Sequence, residues 1–210
     1  MFTGLITAVA TIASATPLGA DSHHGKRIAL RADPQWLQDV QLGDSIAVSG
    51  ACMTVVELQP GGFAIDISAE SLARTTGLDA VGALVNLEQS LSLTTKLGGH
   101  LVTGHVDGVG HVARFEQVGE SWLLEVDAPP ELGKFFAYKG SIVVNGVSLT
   151  VNHVQDLPQH CRVRINLIPH TLQHTNLHQL REGAAVNLEI DLIARYVERM
   201  LDTDRGAHDV

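Results

Sequence analysis

The sequence is poor in cysteine, in aromatic rings and in positive charge. Two cysteines, Cys52 and Cys161, in 210 residues cannot build a disulfide framework, so free thiols in a reducing compartment are expected. Aromatic residues make up 4% of the chain, and 14 Lys+Arg stand against 23 Asp+Glu, a net charge of −9. That balance argues against a tandem-barrel nucleic-acid binder, which needs a basic groove and stacking rings. No apolar run approaches the roughly 18 residues of a membrane span. The first lysine, Lys26, comes too late for the charged region of a signal peptide. A cytoplasmic protein is expected.

What is present is an apolar fraction of 45%, enough for a packed core, and 20 glycines that mark many tight turns. The feature that organises the rest is an internal duplication. Phe2-Thr3-Gly4-Leu5-Ile6 matches Val102-Thr103-Gly104-His105-Val106. Gly43 to Val55 aligns with Lys139 to Val151, Ala64 to Thr75 with Arg164 to Thr175, and Gly82 to Glu88 with Gly183 to Glu189. Blocks that match in the same order at nearly constant spacing mark a repeat architecture.

Within the first copy, strands are expected at Met1 to Ile12, Arg27 to Arg31, Ser45 to Ser49, Cys52 to Leu58, Phe63 to Ile67 and Leu84 to Leu87. A loop is expected over 14–25, a helical turn over Pro34 to Val40, and a short helix over Ala69 to Arg74. About six short strands per copy with turn signals between them predict a small antiparallel barrel, closed so that no edge is left unpaired. After the second copy Leu192, Ile193, Tyr196, Val197, Met200 and Leu201 recur at helical spacing. They predict an amphipathic helix of about three turns, whose apolar stripe is expected to pack on another subunit. The fold class is therefore all-β, two tandem antiparallel barrels of about six strands each with a C-terminal amphipathic α-helix. The expected units are 1–97, 98–190 and 191–210.

Five segments resemble one family. They are Met1 to Gly4, Gly50 to Val55, Leu97 to Gly108, Asn145 to Val151 and Ile168 to Leu172, and together they look like riboflavin synthase of the alpha-chain type. The resemblance implies a cofactor-free, metal-free dismutation, the final step of riboflavin biosynthesis. Two molecules of 6,7-dimethyl-8-ribityllumazine exchange a four-carbon unit, giving riboflavin and 5-amino-6-ribitylamino-pyrimidinedione. It also implies two tandem six-stranded antiparallel Greek-key barrels and a homotrimer joined through the C-terminal helix. Each repeat would bind one lumazine, and the site would form between the N-terminal barrel of one subunit and the C-terminal barrel of its neighbour. Two repeats and two identical substrates fit this chemistry, since apposed pockets turn an encounter of two reactants into a positioned one.

The resemblance carries catalytic roles onto His105, Ser148, Cys52 and Phe2. Ser148 can donate to a developing anion or position a water. His105 replaces Leu5 of the first copy and can exchange protons near neutral pH. Cys52 could be a nucleophile or a small residue lining the pocket, and Phe2 lies in the segment expected to fold over the site. Substrate contacts are expected at Thr54, Ser68, Ala69, Glu70, Ser71, Gly104, Val106, Lys139, Asn145, Thr150, Ile168, Pro169, His170, Thr171 and Asp191. Thr171 also looks like a helix N-cap, and Asp191 begins the terminal helix. Met53 stands where the family usually has Leu. Asn145 stands where some members have an acid, which puts any acid role there in doubt. His170, His174 and His178 are spaced as ligands on one helical face would be, but the first copy has Glu70 and Arg74 at the first two of these places, so no metal is expected. The competing reading is a non-catalytic lumazine- or flavin-binding protein of the same fold, in which one half has lost its reactive groups.

Overall fold

The computed structural model describes residues 1–21 and 23–207, the last five by backbone alone. Two closed barrels of identical topology follow one another. The first comprises β1 (Ala8–Pro17), β2 (Lys26–Arg31), β3 (Ser45–Val48), β4 (Ala51–Gln59), β5 (Gly62–Ile67) and β6 (Leu84–Gln89), paired in the order β1-β2-β5-β4-β3-β6. The second comprises β7 (Gly108–Val118), β8 (Ser121–Ala128), β9 (Ser141–Val144), β10 (Val147–Leu157), β11 (His160–Leu167) and β12 (Ala185–Ile190), in the same cyclic order. Every strand pair is antiparallel, and β1, β4, β7 and β10 each slip register at one bulge. Bulges bend a strand, so their recurrence at matching places shows that curvature was duplicated along with the pattern.

Two short helices, α1 (Ala69–Arg74) and α2 (Pro169–His174), cap equivalent barrel ends, and α3 (Leu192–Ala207) closes the described chain. Each barrel has its own core. Ile12, Ile28, Ile46, Phe63, Ile65 and Leu87 fill the first. Leu124, Val126, Ile142, Val163, Ile165 and Leu188 fill the second.

Three expectations need correction. The first strand starts only at Ala8, and Phe2 makes a lone bridge to Val102. The alternating pattern of the first residues is read against the other repeat and not by the sheet. The expected loop from Ser14 is strand as far as Pro17, which pairs with Lys26; a proline fits at a strand end, where its missing N–H costs no ladder bond. Ser22, within that loop, and 208–210, within the tail, lie outside the described residues. The N-cap of α2 is Ile168, with Pro169 at the first helical position, and Thr171 sits inside the first turn. Its counterpart Ser68 caps α1 by accepting from the Ser71 N–H at 3.0 Å.

The barrels meet through an internal pseudo-twofold junction. The turns Ser49-Gly50 and Asn145-Gly146 lie back to back, so close that a Cβ on Gly50 would be 3.0 Å from the Gly146 nitrogen. Asn86 Nδ2 donates to the Asn145 carbonyl at 2.8 Å, and Asn187 Nδ2 donates to the Ser49 carbonyl at 3.0 Å. Phe2, Ala47, Val102 and Val143 form a small apolar cluster between the cores.

Candidate functional site

The residues that precede each barrel, the leaders, bridge from their own repeat to the other. The first leader crosses to the second barrel: the Gly4 carbonyl accepts the Ser148 N–H at 2.8 Å, and Ile6 packs on the second core. The second leader crosses the other way: the Gly104 carbonyl accepts the Cys52 N–H at 2.7 Å, and Val106 packs on the first core. Two equivalent sites result, each formed by one barrel and the leader of the other copy: a first pocket, which encloses a cavity, and a second at the matching residues of β10.

The first pocket is a cavity of about 210 Å³ lined by Cys52, Met53, Glu70, Ser71, Arg74, Gly104, His105 and Val106, among others. Cys52 and Thr54 alternate with core residues Met53 and Val55 along β4, so the thiol and the hydroxyl share the outward face. Glu70 and Arg74 are ion-paired at 2.9 Å, one turn apart on α1. Ser68 and Ala69 stand at the start of that helix.

In the second pocket Ser148 and Thr150 hold the equivalent outward positions of β10. The Ser148 hydroxyl is paired with His100 Nδ1 at 2.7 Å. The His100 backbone N–H donates to the Thr3 carbonyl at 3.1 Å, which ties the residue to the leader, and the ring Nε2 is buried without a partner. Burial pushes the imidazole below its ordinary value of 6.5, and the charge of Asp191 opposes the shift. The neutral imidazole is therefore favoured, with Nδ1 bonded to a hydroxyl and Nε2 buried.

The expected site residues other than Lys139 thus fall into three groups. Cys52, Glu70, Ser71, Gly104, His105 and Val106 line the first pocket, with Thr54 further along β4 and Ser68 and Ala69 at the start of α1. Ser148, Thr150, Ile168, Pro169, His170, Thr171 and Asp191 belong to the second barrel, at β10, at α2 and at the start of α3. His105 is therefore not beside Ser148 in the same chain, because its leader crosses to the first barrel. Phe2 and Asn145 form the third group and are turned inward. Phe2 is fully buried behind Cys52. Asn145 Oδ1 accepts the Asn187 N–H at 2.8 Å in the junction. Lys139 is exposed, with Nζ 3.3 Å from Asn152 Oδ1. It adopts a left-handed φ of 65° where the first copy has Gly43.

The three histidines are not one ligand face, since α2 ends at His174 and Thr175 starts a separate turn. His174 and His178 each turn Nδ1 to a backbone carbonyl. Among the described residues no cluster of three His, Cys, Asp or Glu is arranged to hold an ion.

Sequence reasoning missed His100 and the buried pair Glu88 and Glu189. His100 lay inside a quoted motif, but its contact with Ser148 spans 48 residues. The two glutamates were visible as identical charges inside otherwise apolar strands of both copies.

Twin barrels with crossed leaders and two related outward pockets define a duplicated small-molecule-binding protein. A lumazine-binding domain model matches the chain twice, over residues 3–90 and 103–191. The chain is 40% identical over 208 residues to riboflavin synthase of Photobacterium leiognathi, covering 98% of this chain and 91% of that protein. It is 37% identical over 202 residues to riboflavin synthase of Bacillus subtilis (strain 168), covering 96% and 90%. Among solved structures it matches LumP complexed with riboflavin at a TM-score of 0.79 and 26% identity, over 90% of this chain and 99% of that one. LumP complexed with 6,7-dimethyl-8-(1'-D-ribityl) lumazine matches at 0.76 and 25%, with the same coverage. The chain belongs to the riboflavin synthase family.

Proposed function

We propose that this protein catalyses the dismutation of two 6,7-dimethyl-8-ribityllumazine molecules to riboflavin and 5-amino-6-ribitylamino-pyrimidinedione by transfer of a four-carbon unit. The observation that carries the reading is that both pockets retain reactive groups, Cys52 with His105 in one and Ser148 bonded to His100 in the other. A binder that had lost one half would not keep both.

The chemistry needs a modest base and positioned donors, because a lumazine methyl carbanion delocalises into the ring. His100 is held neutral with Nδ1 2.7 Å from the Ser148 oxygen, so it accepts a proton relayed through the Ser148 hydroxyl. Ile168 lies against the ring, and Thr54, Thr150 and Thr171 bond ring amides and the ribityl chain. Lys139 and Asp191 reach the substrate from the rim. No metal or organic cofactor takes part.

We further propose a homotrimer, with each site made by the N-terminal barrel of one subunit and the C-terminal barrel of the next. On α3, Ile193, Tyr196, Val197, Met200 and Leu201 are all exposed in the single chain. Two ion pairs tie it to its own chain, Lys134 with Glu198 and Arg195 with Asp107. Such an apolar stripe supports a subunit contact. The units are then 1–97 and 98–190 for lumazine binding and 191–210 for assembly, in a cytoplasmic protein with free thiols. No helix among the described residues is long and apolar enough to cross a membrane.

The test is incubation of purified protein with 6,7-dimethyl-8-ribityllumazine, following riboflavin by absorbance, with mass measured by light scattering. Turnover is expected from a trimer, and truncation before Leu192 is expected to give inactive monomers. Tight lumazine binding with no riboflavin formed would favour the non-catalytic reading instead.

A further inference from the structure

Two buried carboxylates are unused by this chemistry. Glu88 lies on β6 and Glu189 on β12, at matching positions of the two copies, and they are 5% and 2% exposed. Each grips the leader of its own repeat with both oxygens. Glu88 Oε1 accepts the Thr3 N–H at 2.7 Å and the Thr3 hydroxyl at 2.6 Å, and Oε2 accepts the Gly4 N–H at 2.9 Å. Glu189 does the same to Thr103, at 2.7 Å from both N–H and hydroxyl, and to Gly104 at 3.0 Å. Burying a carboxylate is costly, and in both cases burial pushes the group above the usual carboxylate range although three donors pull it back.

The leaders explain why the charge is kept. Gly4 and Gly104 sit at φ of 75° and 78°, a conformation that L side chains rarely adopt. This turn directs the next carbonyl into the opposite barrel. The Gly4 carbonyl holds the Ser148 N–H, and the Thr3 carbonyl holds the His100 N–H. The Gly104 carbonyl holds the Cys52 N–H, and the residue after it, His105, lines the Cys52 cavity. Glu88 of the first barrel is thus one leader away from the Ser148–His100 pair of the second pocket. Glu189 of the second barrel is one leader away from Cys52 and His105 in the first.

We propose that Glu88 and Glu189 are positioning residues that act crosswise, each setting the reactive pair in the pocket of the barrel opposite its own. A glutamine fits the space but not the role: its amide nitrogen is a donor and faces either the Gly N–H or the Thr donors. The leader must then shift, and the opposite pocket shifts with it. The proposal uses the riboflavin synthase reading only for its turnover readout.

The experiment compares Glu88→Gln and Glu189→Gln in the full-length protein by three measurements. The first is steady-state turnover of 6,7-dimethyl-8-ribityllumazine. The second is the NMR titration of His100 with ¹³C-labelled histidine. The third is the rate at which iodoacetamide alkylates Cys52, read by mass spectrometry. Glu88→Gln is expected to lower kcat about tenfold or more with KM changed less than about threefold, and to move the His100 titration while Cys52 alkylation stays within about twofold of wild type. Glu189→Gln is expected to change Cys52 alkylation and leave the His100 titration in place. General loosening of the fold would move both probes in both variants, and that result overturns the proposal. So does an uncrossed pattern, in which each glutamine disturbs only the pocket of its own barrel. If a glutamine variant does not fold, Thr3→Val and Thr103→Val remove one clamp bond each and must give the same crossed pattern at smaller size. Should the wild type make no riboflavin, the functional reading fails while the titration and alkylation arms still decide this proposal.

Discussion

The two pockets share one scaffold and differ in their reactive groups. Both present a strand whose outward residues are two apart, Cys52 and Thr54 in one and Ser148 and Thr150 in the other. Both are closed by a crossed leader clamped by a buried glutamate. In the first pocket the leader brings His105, which the cavity places near the Cys52 thiol. In the first copy Leu5 stands at the matching leader position in the sequence, and the imidazole of the second pocket comes from His100, hydrogen-bonded to the Ser148 hydroxyl. Duplication kept the groups that hold the backbone and let the groups that face a ligand diverge. On the proposed function, the half-buried His100–Ser148 pair makes the second pocket the one suited to proton transfer.

The sharpest test of that asymmetry is to remove one imidazole at a time. His100→Gln is expected to lower kcat by about 10²–10³, in the range for loss of a general base, whereas His105→Gln lowers it by about tenfold or less. Lumazine affinity, measured by fluorescence quenching, should change little in either. A larger loss from His105→Gln would move the base to the first pocket. The pH dependence carries a sign as well. Burial lowers the His100 value from 6.5, so its protonated form is disfavoured in the folded protein. The acid limb of kcat is expected to fall with a midpoint below 6.5. By the same shift, this group's contribution to stability is complete above 6.5 and is lost as pH drops through its lowered native value. A midpoint above 6.5 would show that another group controls the rate.

The next prediction concerns the shared part. Asn86 Nδ2 bonds the Asn145 carbonyl and Asn176 Oδ1, and Asn187 Nδ2 bonds the Ser49 and Thr76 carbonyls. Both residues are buried. Truncation of either leaves buried partners unsatisfied, at about 1–3 kcal/mol for such a group. Asn86→Ala and Asn187→Ala are therefore expected to destabilise the protein by similar amounts in urea unfolding. A loss confined to one of them would mean that the junction is not the symmetric element its geometry describes.

How much of this was legible in the sequence depends on range. The strands and their order followed from local alternation and turn residues, and the duplication doubled every such signal. The crossed leaders did not follow. Phe2 to Ile6 alternates like a strand, yet the turn at Gly4 and the bond to Ser148 belong to contacts more than a hundred residues apart. His105 belongs to the second copy in sequence, and the crossing sends it to the first barrel. Asn145 looked like a pocket residue on its motif, while its side chain is spent on Asn187. Cap chemistry misled for a similar reason: Thr171 is a good capping residue, but the backbone becomes extended at Ile168 and the helix starts with Pro169.

The smallest expected effect is the most informative about chemistry. Cys52→Ser gives the first pocket the same residue that the second pocket has. The Cys52 N–H bond to Gly104 is a backbone bond and survives the change, so the new hydroxyl stands where the thiol stood. Nothing in the first pocket bonds that hydroxyl as His100 bonds Ser148, so it gains no reactivity. If the thiol only lines the ring, kcat falls by less than about tenfold. If it adds to the substrate as a nucleophile, the weaker hydroxyl lowers kcat by about 10² or more. The reverse exchange, Ser148→Cys, replaces a good donor by a weak one against the same imidazole and should cost about 10² in kcat. A small loss for Cys52→Ser with a large one for Ser148→Cys would assign the first pocket to holding substrate and the second to proton transfer. Equal large losses would assign covalent chemistry to the first pocket and end the division of labour drawn here.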